Sequence, residues 1–153
     1  MLGKMKQWLG IEGVKLELTV PGGFDLSAPS VDGTLRLYSK NEQTVSAVRL
    51  VLIERYSRGR EPELLVDEYL LGELVLRQPI VVPAEGQMVE VPFSLPFHAV
   101  RSEVEEFGRR NLVFKGLAWV AKKTRNAVSE YRLEAEAQVP GVGLNPYAQL
   151  PLE

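Results

Sequence analysis

The segment that most constrains the fold is Val89–Phe97, which reads Val-Glu-Val-Pro-Phe-Ser-Leu-Pro-Phe. Its apolar residues stand at every second position up to Leu95, which is the period of a β-strand with one face in a core. Two prolines, Pro92 and Pro96, take the opposite parity, and a strand tolerates proline only at an edge, a bulge or an end. We therefore predict that Phe93 and Leu95 are central core residues and that Pro96 ends the strand.

The same two-residue alternation recurs along the chain, and clusters such as Pro21-Gly22-Gly23 separate the segments that carry it. No segment shows the β-α-β alternation of a parallel sheet. The pattern therefore predicts an all-β fold, an antiparallel β-sandwich of about eight strands. The other predicted strands are Val14–Val20, Val31–Tyr38, Val45–Tyr56, one or two strands within Leu64–Val82 interrupted by Gly72, Leu112–Lys122, Val128–Val139 and a short closing strand at Tyr147–Leu152.

Two segments depart from the strand pattern and predict short helices. In Met1–Leu9 the apolar residues fall at helical spacing. The segment Ser102–Arg110 has Ser102 and Glu105 at capping-box spacing, with acids early and bases late, as the helix dipole favours. The first helix is interpreted as a lid over one end of the core, and the alternative is a weak membrane-interface anchor that uses Trp8.

Composition narrows the class of protein. A chain of 153 residues suits one domain, 1–153. The composition, with 45% hydrophobic residues, 25% charged residues and a net charge of −2, argues against a disordered chain and against a nucleic-acid-binding protein. The absence of cysteine excludes disulfides, thiolate nucleophiles and cysteine-ligated metals. No apolar run approaches the roughly 18–20 residues of a membrane span, and no signal peptide is evident, so a cytoplasmic location is expected.

The sequence offers no catalytic, metal or cofactor motif, and we expect none of these sites. The single histidine, His98, follows the end of the predicted strand at Pro96. A sandwich hydrolase needs a nucleophile–base pair that usually includes histidine, so His98 is the one candidate for an enzymatic alternative. The preferred interpretation is a surface or capping histidine.

The order of these features resembles an arrestin N-terminal-type domain. Within that superfamily the chain is similar to the bacterial sporulation-control proteins of the arrestin-like class. The motifs that carry the resemblance are Gly-Val-Lys-Leu-Glu-Leu (Gly13–Leu18) after the opening helix, Gly-Thr-Leu-Arg-Leu (Gly33–Leu37), Leu-Ile-Glu-Arg-Tyr (Leu52–Tyr56), Pro-Phe-Ser-Leu-Pro (Pro92–Pro96) and paired closing strands at Val113–Val120 and Tyr131–Val139.

The resemblance implies an immunoglobulin-like sandwich that binds other proteins and has no catalytic residues. Arrestin-type proteins normally carry two such sandwiches, whereas this chain has room for one. The expected function is therefore a non-enzymatic protein-interaction module, a cytoplasmic scaffold or regulator. The alternatives are a self-assembling structural protein, in which a second copy completes a two-fold homodimer, and a membrane-surface binder.

Two candidate binding surfaces follow from the sequence. The first predicted strand is short and regular, so it is a candidate edge for strand addition by a partner, unless Lys15 and Glu17 guard it. Its inward residues are Val14, Leu16, Leu18 and Val20. The region 109–125 has a local excess of basic residues, which would attract an anionic surface. The alternative is an ordinary charged surface that contacts only water. The candidate basic patch comprises Arg109, Arg110, Lys122, Lys123 and Arg125.

Overall fold

The computed structural model describes residues 13–59, 63–99 and 127–153, and every regular element in these ranges is a β-strand. None of these residues belongs to a helix that could span a membrane. The helices expected at Met1–Leu9 and Ser102–Arg110, and the strand expected at Leu112–Lys122, lie outside the described residues. The strands are β1 (Lys15–Thr19), β2 (Ser30–Tyr38), β3 (Gln43–Val45), β4 (Ala47–Arg58), β5 (Leu65–Leu76), β6 (Ile80–Val82), β7 (Val89–Pro96), β8 (Val128–Gln138) and β9 (Tyr147–Leu152).

The described strands form three antiparallel sheets. One has the order β1-β2-β7, a second the order β5-β4-β8-β9, and β3 pairs with β6 in a small third sheet. Apolar side chains from all three sheets form a single buried cluster. The expected all-β, antiparallel, sandwich-like fold is confirmed.

The core is made by the apolar parity of each strand, because side chains two positions apart share a face. Phe93 and Leu95 on β7 are 6% and 0% exposed, so both are core residues as expected. The cluster also contains Leu35 and Leu37 from β2, Leu50 and Leu52 from β4, and Leu133, Ala135 and Ala137 from β8.

The position of β7 explains its prolines. Among the described strands β7 pairs only with β2, and it ends at Pro96 as expected. Pro92 lies opposite Thr34 of β2. A proline at this position is tolerated because one side of the strand has no described hydrogen-bonding neighbour.

The segment Val45–Tyr56 is two strands rather than the single strand expected. Val45 ends β3, which pairs with β6, and Ala47 begins β4, which pairs with β5 and β8. Between them Ser46 donates hydrogen bonds from its backbone N (2.8 Å) and its Oγ (3.1 Å) to the carbonyl oxygen of Gln138. The chain passes from one sheet to another at Ser46, and the alternation of apolar residues in the sequence does not indicate that change.

Gly72 does not interrupt a strand, which corrects a second expectation. β5 runs through Gly72, from Leu65 to Leu76, and ends only at Leu76. The pairing register between β5 and β4 shifts by one residue at Leu71. A Cβ at Gly72 would lie 2.3 Å from the carbonyl oxygen of Pro96. Glycine is therefore required here by a close backbone approach rather than by a turn.

β8 has neighbours on both sides. It pairs with β4 along its whole length and with β9 over Tyr131–Glu136. Both hydrogen-bonding edges of that stretch are therefore occupied by described strands. The hairpin partner expected at Val113–Val120 lies outside the described residues.

Candidate functional site

The first candidate surface is the side of β1 that faces away from β2. Among the described strands β1 hydrogen-bonds only to β2, in the register Lys15–Tyr38 to Thr19–Thr34. Val14 and Leu18 are buried, and Leu16 and Val20 pack against the same core. These four side chains hold the strand in place, so a partner added at this edge would meet mainly its backbone N–H and C=O groups.

The outward side chains of β1 are engaged in weak contacts. The ammonium of Lys15 lies 6.0 Å from the centre of the Tyr38 ring, and Arg36 Nη1 lies 3.9 Å from Glu17 Oε1. Arg36 Nε also lies 3.2 Å from Glu90 Oε1 of β7, which extends this charge row over three strands. These exposed groups contribute little to stability, but charges on an edge strand hinder indiscriminate strand pairing.

The second candidate surface, the basic patch, lies outside the described residues. It comprises Arg109, Arg110, Lys122, Lys123 and Arg125. It therefore stays a prediction from the sequence.

His98 lies at the surface just after β7. Its backbone N donates a 3.0 Å hydrogen bond to the carbonyl oxygen of Leu71, which ties the end of β7 to β5. In the described ranges no group of three or more histidine, aspartate or glutamate side chains is placed to hold a metal ion.

The structure adds a polar groove that sequence reasoning missed. It has a volume of about 810 Å³ and lies on the solvent face of the four-stranded sheet, between β4, β8 and β9. Arg132 is its central residue: Nη1 donates to Glu68 Oε2 and Nε donates to Glu134 Oε2, both at 2.5 Å. Arg55, Tyr147 and Gln149 are further lining residues.

The charges in the groove are mutually compensated. The hydrogen bond to Glu68, followed by that to Glu134, raises the pKa of the Arg132 guanidinium, while burial opposes this effect. The hydrogen bond from Arg132 lowers the pKa of Glu68. Arg55 Nη1 lies 3.5 Å from Glu130 Oε2 beside them. Because Arg55 and Arg132 are both already paired, the described lining of the groove presents no free positive charge to an anionic ligand.

A second missed residue is Glu54, a carboxylate that is 2% exposed on the core side of β4. It accepts hydrogen bonds from Ser129 Oγ at 2.7 Å and from Tyr131 Oη at 3.4 Å. A buried polar group needs such partners, because burying it without a hydrogen bond is costly. The signal was available, since Glu54 stands on the same parity as Leu50 and Leu52.

Comparison with protein-family models and with curated protein sequences gives no match. Among solved structures, Spo0M, a sporulation control protein from Bacillus subtilis, superimposes with a TM-score of 0.60 at 13% sequence identity. The match covers 93% of this chain and 49% of Spo0M, so the chain spans about half the length of that protein.

Two further solved structures match over most of the chain. CsgH from R. palustris has a TM-score of 0.33 at 10% sequence identity, and the match covers 92% of this chain and 91% of CsgH. A protein from Archaeoglobus fulgidus has a TM-score of 0.31 at 11% sequence identity, and the match covers 93% of this chain and 97% of that protein. TM-scores this low do not show a shared fold, so we infer nothing about this chain from these two structures. The similarity to a sporulation-control protein that the sequence motifs indicated is therefore confirmed by the likeness to Spo0M, as a likeness of fold.

Proposed function

We propose that this chain is a non-enzymatic protein-interaction module, a cytoplasmic scaffold or regulator of the arrestin-like, sporulation-control type. The observation that carries the proposal is the fold it shares with about half of Spo0M, a sporulation control protein. The proposal includes a single immunoglobulin-like domain over 1–153, with helices at Met1–Leu9 and Ser102–Arg110. It involves no cofactor and no metal.

In this proposal the partner protein binds by adding a strand to β1. The support is that β1 has one hydrogen-bonding neighbour among the described strands and is fixed to the core by Val14 and Leu18. An added strand would gain main-chain hydrogen bonds, and the residues around the edge would select the partner.

The test begins with affinity capture of the tagged protein from lysate of its own source, with bound proteins identified by mass spectrometry. We expect one or two partners in stoichiometric amounts. Recovery of the protein alone, as a dimer by light scattering, would instead favour the self-assembling alternative.

Variants of β1 then test the binding mode. Leu16→Pro removes a backbone donor, and Leu16→Ala is the matched control that shortens the same side chain but leaves the backbone intact. Because successive residues of a strand point their N–H groups to opposite sides, Glu17→Pro is the companion variant, and one of the two prolines removes a donor on the open side. Circular dichroism identifies which variants keep the fold.

We expect the folded proline variant that removes the outward donor to lose the captured partner, while Leu16→Ala retains it. Unchanged partner binding by both prolines in folded proteins would contradict strand addition at β1. Loss of binding by Leu16→Ala as well would point to side-chain recognition.

A further inference from the structure

The polar groove on the solvent face of the four-stranded sheet has two rows of side chains in its described lining. Arg132 and Glu134 lie on β8, and in the antiparallel pairing they stand opposite Pro151 and Gln149 of β9. Tyr147 extends the β9 row. The groove therefore has a β8 side of charged groups and a β9 side that carries two rings and an amide.

The charged groups on the β8 side are held in fixed positions. The side chains of Arg132 and Glu134 are 22% and 19% exposed, which makes them the least exposed ion pair among the described residues. Arg132 donates from Nε to Glu134 and from Nη1 to Glu68. A guanidinium has five N–H groups and a carboxylate has about four lone-pair sites, so both retain hydrogen-bonding capacity beyond these contacts. A ligand would meet donors and acceptors that are already ordered.

The β9 side alternates apolar and polar surface. Tyr147, Gln149 and Pro151 stand at every second position of β9, so their side chains share the solvent face. All three are exposed, and Tyr147 is 54% exposed. Tyr147 Oη donates a 3.1 Å hydrogen bond to Gln149 Oε1, which leaves the amide N–H groups of Gln149 for other partners. Two rings thus flank an amide over about 14 Å of strand, at about 3.4 Å per residue.

These groups select among classes of ligand. An anion would find Arg55 and Arg132 already paired, and a cation would lie against Arg132 at the centre of the groove. A purely apolar ligand would remove water from the ion pair without replacing its hydrogen bonds, which is costly. A neutral ligand with many hydroxyl groups avoids all three penalties. Each hydroxyl donates to a carboxylate or accepts from a guanidinium or an amide, and apolar ring faces suit the two rings of β9.

We propose that the groove is a binding site for a neutral oligosaccharide. The sugar rings pack against Tyr147 and Pro151, and the hydroxyl groups hydrogen-bond to Arg132, Glu134 and Gln149. The site goes beyond the proposed function, because it uses side chains on the solvent face of the four-stranded sheet. A protein partner at β1 would use main-chain groups of the other main sheet, so the two proposals are tested separately.

The probes are four neutral tetrasaccharides: cellotetraose, maltotetraose, chitotetraose and mannotetraose. Their binding to the full-length protein is measured by isothermal titration calorimetry. We expect saturable binding of at least one of them with a Kd of about 1 mM or tighter. The affinity should change by less than about twofold between about 0.05 and 0.5 M salt, because the ligand carries no charge to be screened. The neutral peptide acetyl-Ser-Gln-Ser-Gln-amide, which has hydroxyls and amides but no sugar ring, is the control and should not bind.

Protein variants locate the binding, and circular dichroism checks that each keeps the fold. We expect Tyr147→Ala to weaken the bound tetrasaccharide about tenfold by removing a ring face, and Tyr147→Phe, which keeps the ring, to stay within about threefold. Gln149→Ala should weaken it about fivefold, the effect of one neutral hydrogen bond. Tyr38→Ala is the matched control, since Tyr38 lies on β2 in the other main sheet, opposite Lys15.

Several outcomes would overturn the inference. The first is the absence of saturable binding for all four tetrasaccharides. Equal binding of the peptide would show that the groove accepts any neutral polar chain, and strong weakening by salt would show an ionic ligand site instead. Equal effects of Tyr38→Ala and Tyr147→Ala in folded proteins would place the sugar elsewhere on the molecule.

Discussion

Gly33 shows how tightly the smaller of the two main sheets is packed. It lies opposite Phe93 in the pairing of β2 with β7. A Cβ at this position would lie 2.4 Å from the carbonyl oxygen of Thr19 and 2.8 Å from Cζ of Phe93. The backbone of β1 and the ring of Phe93 thus fill the space that any side chain would need.

We predict that Gly33→Ala lowers the free energy of unfolding by about 1–3 kcal/mol, the usual cost of overpacking a core. Gly22→Ala is the control, because no atom lies within 4 Å of the added methyl group there, and its expected change is within about 0.5 kcal/mol. Urea unfolding followed by circular dichroism measures both. Equal effects of the two substitutions would show that the close approach at Gly33 is not a constraint.

At the scale of elements, the ion pairs of Arg132 link two strands that are not neighbours: Arg132 lies on β8 beside Glu134 and reaches Glu68 on β5 across β4. The pKa of Glu68 is lowered below its ordinary value of 4.5 by the hydrogen bond from Arg132. A lowered folded-state pKa adds stability above the ordinary value, and that stability is lost as the pH falls through the folded value. The Glu68 side chain is 48% exposed, so solvent screens the pair.

We predict that Glu68→Gln destabilises the protein by about 0.5–1 kcal/mol at neutral pH, in the range of exposed ion pairs. The difference from the unsubstituted protein should shrink once the pH falls below 4.5. Thermal unfolding from pH 7 downwards measures it, with Glu42→Gln, at an exposed residue, as the control. A difference that stays constant over this range would mean that the ion pair does not stabilise the sheet.

The positions of most strands could be predicted from the sequence, whereas their interruptions could not. Alternation placed β1, β2, β7, β8 and β9 to within about two residues, because side-chain burial follows the two-residue period directly. Two predictions failed, the single strand across Ser46 and the interruption at Gly72. In both places the outcome depends on a backbone far along the chain, Gln138 in one case and Pro96 in the other.

The candidate sites were predicted less completely than the strands. The inward parity of β1 was visible, and the structure places Val14 and Leu18 in the core. The ion pairs of Arg132 were not visible, because Glu68 and Arg132 are 64 residues apart and on strands that are not neighbours. The exposure of Leu65 and Leu70 on β5 was missed for the same reason, because it depends on which strands lie beside β5.

At the scale of the whole molecule, the two main sheets contribute to one buried cluster. Leu35 of β2 and Leu133 of β8 are both 0% exposed within it. A shared core couples the sheets, because neither can keep its apolar face buried without the other. We therefore expect the sheets to unfold together.

We predict that Leu35→Ala and Leu133→Ala each lower the free energy of unfolding by about 2–5 kcal/mol, the range for large-to-small changes in a core. Far-ultraviolet and near-ultraviolet circular dichroism should give coincident transitions in both variants. Val81→Ala, at a residue that is 57% exposed, is the control. Two separated transitions in either variant would show that the sheets are independent units.

The sequence by itself determined where the chain is extended and which face of each strand is apolar. These properties are local, since they depend on side chains two positions apart and on turn-forming residues between them. The tertiary structure alone decided which of the described strands are neighbours, which donors meet Glu54, and which residues Arg132 pairs with. Those properties depend on contacts between distant segments, and the alternation of a strand is the same whichever neighbour it acquires.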